Sequence, residues 1–382
     1  MHDFLLKEIL NTEIESELTN IGFDKTYTHK AQKKFQYKNL KIFNLTPAQA
    51  NILKQTAISV GADCGTHREV ITGKTDLSNC ILGGSLDELE KISKKLQFQP
   101  FKLKELGKKI EEFCIQHKTQ KTKIMGILNI TKDSFSDGGQ YFDYNDSITH
   151  LNKLIEDGAD IIDIGAESTK PYSQPISTED QLEKLVPILK YIQQNKTEKY
   201  PLISIDTRSS IVAKKCIELG ADIINDVSGL DYDSDMVNIL SVNPNIKIIL
   251  QHSQGTPENM QDSPFYENLM DEIYLNLKTK VDFAISKGIK PSNIIIDPGI
   301  GFGKTKAHNL TIIKRFNELS SIGCPILIGL SRKSLLEMPE ADNEEKDIYT
   351  LALNSILINH NIDIIRVHNV KLHKQLLKIL EI

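Results

Sequence analysis

Eight short apolar runs recur between residues 122 and 382, and most gaps between them are long enough for a helix. The runs are 124–129 (IMGILN), 161–165 (IIDIG), 202–206 (LISID), 222–226 (DIIND), 246–251 (IKIILQ), 293–297 (NIIID), 325–329 (PILIG) and 363–367 (DIIRV). Helical stretches at 146–157, 178–195, 209–219, 233–241, 266–287, 305–319 and 345–360 lie between them, and a last one runs 370–381. Strand-length apolar segments that alternate with helices imply a parallel sheet covered by helices. Such a sheet stays open and doubly wound or closes on itself. Eight units is the number that closes, so a (β/α)8 TIM barrel is expected.

In a barrel of this kind the chemistry sits at the C-terminal ends of the strands. The ends read, in order, Asn129; Asp163 before Gly165-Ala-Glu-Ser-Thr169; Asp206; Asn225-Asp226; Gln251-His252; Asp297; Ser331-Arg-Lys333-Ser334; and Arg366-Val-His368-Asn369. One such residue is as readily a turn or cap as a functional group. Eight on one rim point to a site for a polar heterocycle. A carboxylate such as Asp297 can take paired hydrogen bonds from a guanidine-like edge, and Asn225 can donate and accept at once. Arg366 and His368, with Asn129 and Thr169, suit a phosphorylated leaving group. Mg²⁺ could bridge that group to Asn129, because it binds through few protein oxygens plus substrate phosphates. The histidines are single and no thiolates sit beside them, which does not suit zinc. Segments 130–143 and 166–177 are long, polar and placed over the rim, and read as mobile loops that complete the site.

The stretch Ile294-Ile-Ile-Asp297-Pro-Gly-Ile-Gly-Phe-Gly-Lys304 invites a phosphate-loop reading, which fails on spacing. A Walker A loop needs glycine where Pro298 stands, and a G-x-G-x-x-G fingerprint from Gly299 needs glycine at Lys304. Its glycines are better explained as a turn that places Phe302 and Lys304 beside a flat ring.

Residues 1–118 are expected to form a separate small α/β domain, with 119–382 as the barrel. An amphipathic helix is expected over 1–20, a strand over 35–45, and a helix from Thr46-Pro47 to about residue 60. A short strand and turn follow at 81–84, then a helix over 85–96, and a lysine-rich helix and linker at 103–121. The patch His67, Arg68, Glu69, Lys74 and Thr75 suggests a solvated loop more than a binding site. A net charge of −5 argues against a nucleic-acid partner. Five scattered cysteines without a CxxC suggest reduced thiols in a cytoplasmic protein. The first residues carry acids through their apolar positions, unlike a secretion signal. No apolar run reaches the ~18 residues of a membrane span.

Five blocks in the barrel half resemble dihydropteroate synthase: MGILNITKDSFSDGG (125–139), DIGAESTKP (163–171), SIDTRSS (204–210), DPGIGFGK (297–304), and GLSRKS with RVHNV (329–334 and 366–370). The resemblance covers about residues 122–382. It implies a barrel that condenses 6-hydroxymethyl-7,8-dihydropterin pyrophosphate with p-aminobenzoate, giving 7,8-dihydropteroate and pyrophosphate. It would place Asp206, Asn225, Asp297 and Lys333 on the pterin, with Asp163 in the same binding set. Asn129, Thr169, Arg366 and His368 would hold pyrophosphate with Mg²⁺, Asn129 being the metal's protein ligand. Phe302, Lys333, Ser334, Pro171 and Phe135 would border the aminobenzoate. Asp206, Asp297, Lys333 and Arg366 would serve catalysis, and a homodimer is implied. The chain departs from the family pattern at Lys132, Lys170, Tyr172 and Asn369. A corrinoid methyltransferase shares the pterin acids but has no use for a pyrophosphate site or for Ser-Arg-Lys-Ser.

Overall fold

The computed structural model describes residues 5–115, 121–130, 144–167, 176–255, 260, 263–333 and 341–380. Contacts divide the chain into two units, residues 1–118 and 119–382.

The first unit is built on a three-stranded antiparallel sheet. Its strands are β1 (Tyr37–Leu45), β2 (Asp63–Gly65) and β3 (Ser78–Ser85), in the order β1-β3-β2. Helices Pro47–Ile58 and Leu86–Leu96 each begin on a capping box, Thr46 with Gln49 and Ser85 with Glu88. In both, the cap hydroxyl takes an amide of the first turn and the third side chain returns the bond. Helix Leu103–Cys114 packs on Leu86–Leu96, and Leu53, Leu82, Leu89, Ile92 and Leu96 form the core. The helix expected over 1–20 is shorter than its pattern. Residues 5–10 are exposed and irregular, and only Ile14–Asn20 is α-helical, burying Ile14 and Leu18. Two buried side chains are too few to hold further turns on a core. Helix Thr28–Gln32 and strand β2 had no sequence signal, being five and three residues long.

The second unit is an eight-stranded parallel barrel. Its strands are β4 (Lys123–Asn129), β5 (Ile161–Gly165), β6 (Leu202–Asp206), β7 (Ile223–Asp226), β8 (Lys247–Gln251), β9 (Ile294–Asp297), β10 (Leu327–Ile328) and β11 (Ile364–Val367). They run β10-β11-β4-β5-β6-β7-β8-β9, and one bridge, Ile296 with Ile326, joins the two ends. Strand seven was expected over 325–329; it is reduced to two residues. The stretch 305–319 divides into an α-helix, Lys306–Arg315, and a 3₁₀-helix, Phe316–Ile322.

Period-two alternation sorts every strand. Met125, Ile161, Ile223, Ile249, Ile295, Leu327 and Ile364 form a cluster of their own inside the barrel. Ile162, Ile164, Ile203, Ile205, Ile224, Ile248, Ile296 and Ile365 belong to the outer core shared with the helices. Two residues beyond the inner isoleucines come Asp163, Asn225, Gln251, Asp297 and Arg366. The inner surface is therefore apolar at its base and polar at its C-terminal mouth.

The base carries a repeated device. Asp160, Asp222 and Asp363 each precede a strand, and each carboxylate accepts a backbone N–H beside the neighbouring strand. The bonds are Ile124 N to Asp160, Ile203 N to Asp222 and Ile326 N to Asp363, all at 2.8 Å. Asp363 clamps the segment that closes the ring. Asp363→Ala strands that N–H and is expected to lower stability by about 1–3 kcal/mol. Urea unfolding measures this; an unchanged midpoint would show that Asp363 does not hold the closure.

Candidate active site

Asp163 is the best-satisfied carboxylate of the mouth. It is fully buried. Its Oδ1 accepts from Ser204 Oγ at 2.6 Å, and its Oδ2 from Asn225 Nδ2 at 3.1 Å and Arg366 Nε at 2.7 Å. Arg366 Nη2 then donates to Asp206 Oδ2 at 2.9 Å. One guanidinium on β11 thus reaches past β4 to two acids, one on β5 and one on β6. Register makes this reachable, since Arg366 pairs with Met125 and Asp206 with Asn225 across their ladders. Burial pushes the Asp206 carboxyl up to about 7, opposed by Arg366 and aided by the charge of Asp163.

The bond to Asp163 fixes the Asn225 amide with its Nδ2 inward. Asn225 Oδ1 is left buried with no hydrogen-bond partner among the described residues, and so is Gln251 Nε2 on the next strand. Native interiors seldom leave such groups unpaired, so both mark places where a polar ligand would be gained.

Asp297 ends β9, and its Oδ1 accepts the Gly299 amide at 2.7 Å. Burial raises its pKa, against the pull of Lys333, that amide and Lys304. The glycines after it are structural. Gly299 has φ +68°, and a Cβ there would lie 1.9 Å from the His252 carbonyl oxygen; at Gly303, φ +63°, it would lie 2.4 Å from that of Gln254. The loops after β8 and β9 touch backbone to backbone, which only glycine allows at those angles.

Lys304 does not stand beside the open mouth as the sequence suggested. It is buried, and its Nζ lies 2.9 Å from His252 Nδ1 and 2.9 Å from the Phe302 carbonyl. Burial lowers its pKa to about 7, and burial together with Lys304 lowers that of His252 to about 2. The pair ties two loops together. Lys280 does the same one strand earlier, donating to the carbonyls of Ser228 at 2.7 Å and Gln251 at 3.3 Å.

Lys333 follows β10. Its ammonium bonds the Ile300 carbonyl and lies 4.8 Å over the Phe302 ring. Burial lowers its pKa to about 8, partly offset by Asp297. Its neighbour Arg332 has φ +57° and is held in that strained turn by Asp347, which takes Nε and Nη2 at 2.8 Å each. Asn369 Nδ2 also donates to Asp347, at 3.2 Å. His368 lies 2.8 Å from Ser331 Oγ through Nδ1, and that hydroxyl accepts the His368 amide at 3.2 Å. With the hydroxyl donating to Nδ1, the ring would carry its own proton on Nε2. Burial and the cations Arg332 and Arg366 lower its pKa to about 3, so the ring is neutral.

Asn129 pairs in register with Gly165, which pairs with Asp206. Its Oδ1 is 3.5 Å from where a Cβ of Gly165 would stand. Phe135, Thr169, Pro171 and Ser334, with Lys132, Lys170 and Tyr172, lie outside the described residues. So does most of the two loops expected over the rim. Among the described residues no group of three His, Cys, Asp or Glu could hold a metal, and no helix is long and apolar enough to cross a membrane.

Sequence reasoning passed over Ser204, Asp347 and Lys280 as site residues, and named Gln251 as a strand end without giving it a role. Ser204 and Gln251 were findable by alternation, being two residues beyond inner apolar positions. Asp347 and Lys280 sit on helices, where no local pattern tells a buried polar side chain from a solvated one.

A family model described as pterin binding enzyme matches residues 125–368. A dihydropteroate synthase of Clostridium beijerinckii is 39% identical over 66% of this chain and 90% of its own length. A Helicobacter pylori protein named bifunctional dihydropteroate synthase/dihydropteroate reductase is 32% identical over 98% of both chains. The chain spans only 40% of the length of a Haloferax volcanii protein named probable bifunctional folylpolyglutamate synthase/dihydropteroate synthase, at 31% identity over 84% of this chain. A crystal structure of dihydropteroate synthase from Anaplasma phagocytophilum with bound 6-hydroxymethylpterin-monophosphate is 37% identical, with a TM-score of 0.62 over 69% of this chain and 99% of that one.

Proposed function

The chain belongs to the pterin-binding enzymes, with dihydropteroate synthases as its relatives, and we propose that the mouth of its barrel runs that reaction through the residue roles given below. The reaction, a step of folate biosynthesis, joins p-aminobenzoate to 6-hydroxymethyl-7,8-dihydropterin pyrophosphate. The observation that carries the reading is the buried, unpartnered Asn225 Oδ1, placed in register with Asp206 and on the same inner surface as Asp297. An amide acceptor between two acids suits the N–H groups of a pterin.

Asp297 takes the 2-amino and ring N–H donors, and Asn225 a further one. Asp163 touches no substrate; it orients Asn225 and Arg366. The C–O bond to the diphosphate breaks and its electron pair leaves with pyrophosphate. The resulting methylene cation is delocalised into the pterin, where Asp206 and Asp297 oppose its charge from fixed positions. The amine nitrogen of p-aminobenzoate then forms the C–N bond and releases a proton. Lys333 and Phe302 flank that substrate, with Phe135, Pro171 and Ser334 proposed at its border. Arg366, the Nε2–H of His368, Asn129 and Thr169 receive the diphosphate. A single amide oxygen, Asn129 Oδ1, does not make a metal site alone, but it fits Mg²⁺ carried in on the diphosphate. Bound there, the ion would neutralise the departing charge. Assembly as a homodimer and a cytoplasmic setting belong to the same proposal, the first checked by mass in solution.

The reading is tested by incubating the purified chain with both substrates and Mg²⁺. Pyrophosphate release that depends on both organic substrates is expected; its absence would sink the assignment. Asp297→Asn should lose roughly 10⁴-fold, because a site built to pair a substrate's N–H groups is left mismatched.

The pH profile follows from two burial-shifted groups. Asp206, raised to about 7, must be ionised, so kcat/KM should climb as pH rises through that value. Lys333, lowered to about 8, must be protonated, so it should fall as pH passes that value. A bell between these limbs is expected for the free enzyme. Lys333→Arg should move the alkaline limb upward; a limb that stays put would take Lys333 out of the role.

A second reading concerns the N-terminal unit. The barrel unit is just over two thirds of the chain, so the Helicobacter match, over 98% of it, takes in residues 1–118 as well. That relative's name includes a reductase. Reduction of 7,8-dihydropteroate would add hydride to C6 and a proton to N5, with a reduced nicotinamide or flavin as donor. The Haloferax match also enters this unit, under a different second name, so the unit alone does not diagnose reduction. Assay of the full chain with dihydropteroate and either donor decides it, with tetrahydropteroate as the expected product and donor oxidation no faster than background as the refuting result.

A further inference from the structure

We propose that Gln251 is a specificity residue of the pterin subsite, donating from Nε2 to the ring's 4-oxo group beside the N–H groups that Asp297 accepts. The inference rests on the pterin reading of this site.

Gln251 ends β8, between Asn225 on β7 and Asp297 on β9. It is the direct register partner of Asp297. Ile249, two residues earlier, lies in the inner cluster with Ile223 and Ile295, so Gln251 shares the inner surface with Asn225 and Asp297. Its Cγ is 3.2 Å from where a Cβ of Gly299 would be, against the turn whose amide holds Asp297. The two side chains line one wall. Gln251 is only 4% exposed, and its Nε2 has no partner among the described residues.

Burial without a partner makes glutamine an unfavourable choice for packing alone. An apolar side chain of similar length would fill the space without the cost of about 1–3 kcal/mol for an unpaired buried N–H. The amide is explained if a ligand completes it. A 2-amino-4-oxopyrimidine edge presents two donors and then an acceptor, in line. A carboxylate answers the donors and leaves the oxo oxygen facing the adjacent strand, where Nε2 stands. The neighbouring cation Lys333 is already bonded to the Ile300 carbonyl. Asp297 and Gln251 together therefore read acceptor, acceptor, donor.

Gln251→Met removes the donor and keeps the length. The full chain and this variant are titrated calorimetrically with 6-hydroxymethylpterin and with 6-hydroxymethyl-4-thiopterin, which keeps the ring N–H that Asp297 accepts but offers a much weaker acceptor at position 4. Loss of a donor to a buried carbonyl should weaken the first ligand roughly 10- to 100-fold. The second should change little. The KM for the pterin pyrophosphate should rise while that for p-aminobenzoate stays, and the melting temperature should hold or increase. An equal loss for both ligands, or a lower melting temperature with it, would make Gln251 a packing residue and overturn the proposal. Unchanged binding of the pterin would overturn it too, with the synthase reading intact. Failure of the unsubstituted chain to bind 6-hydroxymethylpterin would remove both.

Discussion

Everything at the mouth of this barrel is arranged around one guanidinium between two carboxylates. Arg366 reaches Asp163 and Asp206, both shut away from water, and with them it fixes strands β11, β5 and β6. Such a triad gives little net stability, because desolvating three charges offsets most of their attraction. Its effect is geometric. Asp163 has three donors and no freedom left, so Asn225 is turned with its acceptor free. Asp206 is held at an edge where its proton affinity is already near neutral. A functional surface made of acids could not stay ionised in this setting without a cation of fixed position.

The lysines form a second system with a different purpose. Lys280, Lys304 and Lys333 lie around one half of the rim, and each gives its ammonium to a backbone carbonyl at a neighbouring strand end, of Gln251, His252 and Ile300 in turn. Loops at strand ends carry carbonyls that no ladder pairs, and a long cationic side chain can reach two or three of them. The glycines at 299 and 303 let those loops approach, and the lysines hold them once there. The turn after Asp297 is therefore stiff from both sides, which suits residues that must meet a flat ring at set distances.

Much of this was legible in the chain itself, for a definite reason. The inner surface alternates with period two, so I-x-D, I-x-N and I-x-Q at the ends of β5, β7, β8 and β9 announce an apolar base and a polar mouth before any coordinate is known. Eight such units announce closure. What was not legible depends on distance in sequence. Asp347 and Arg332 are fifteen residues apart and Arg366 and Asp163 two hundred and three, so their pairing follows only from the closed ring. Lys304 looked like a ligand because its motif is glycine-rich; its buried partner is His252, in the loop after another strand. The N-terminal amphipathic pattern overstated its helix because pattern measures what a helix could bury, not what there is to bury it against.

The ring is not uniformly stitched. Strands β4, β5 and β6 are joined by five register pairs at each seam, whereas β10 has two pairs to β11 and a single bridge toward β9. Local opening concentrates where hydrogen bonds are fewest. The sparse seam carries Lys333 and the strained Arg332 turn; the five-pair seams carry Asp163 and Asp206. The barrel thus has a rigid hemisphere and a compliant one. A pterin seated as proposed would meet both, Asp206 on the first and Asp297 on β9 at the edge of the second. Lys333, the proposed neighbour of the second substrate, stands wholly on the side that can yield, so the fold concentrates its freedom of motion where that molecule would enter.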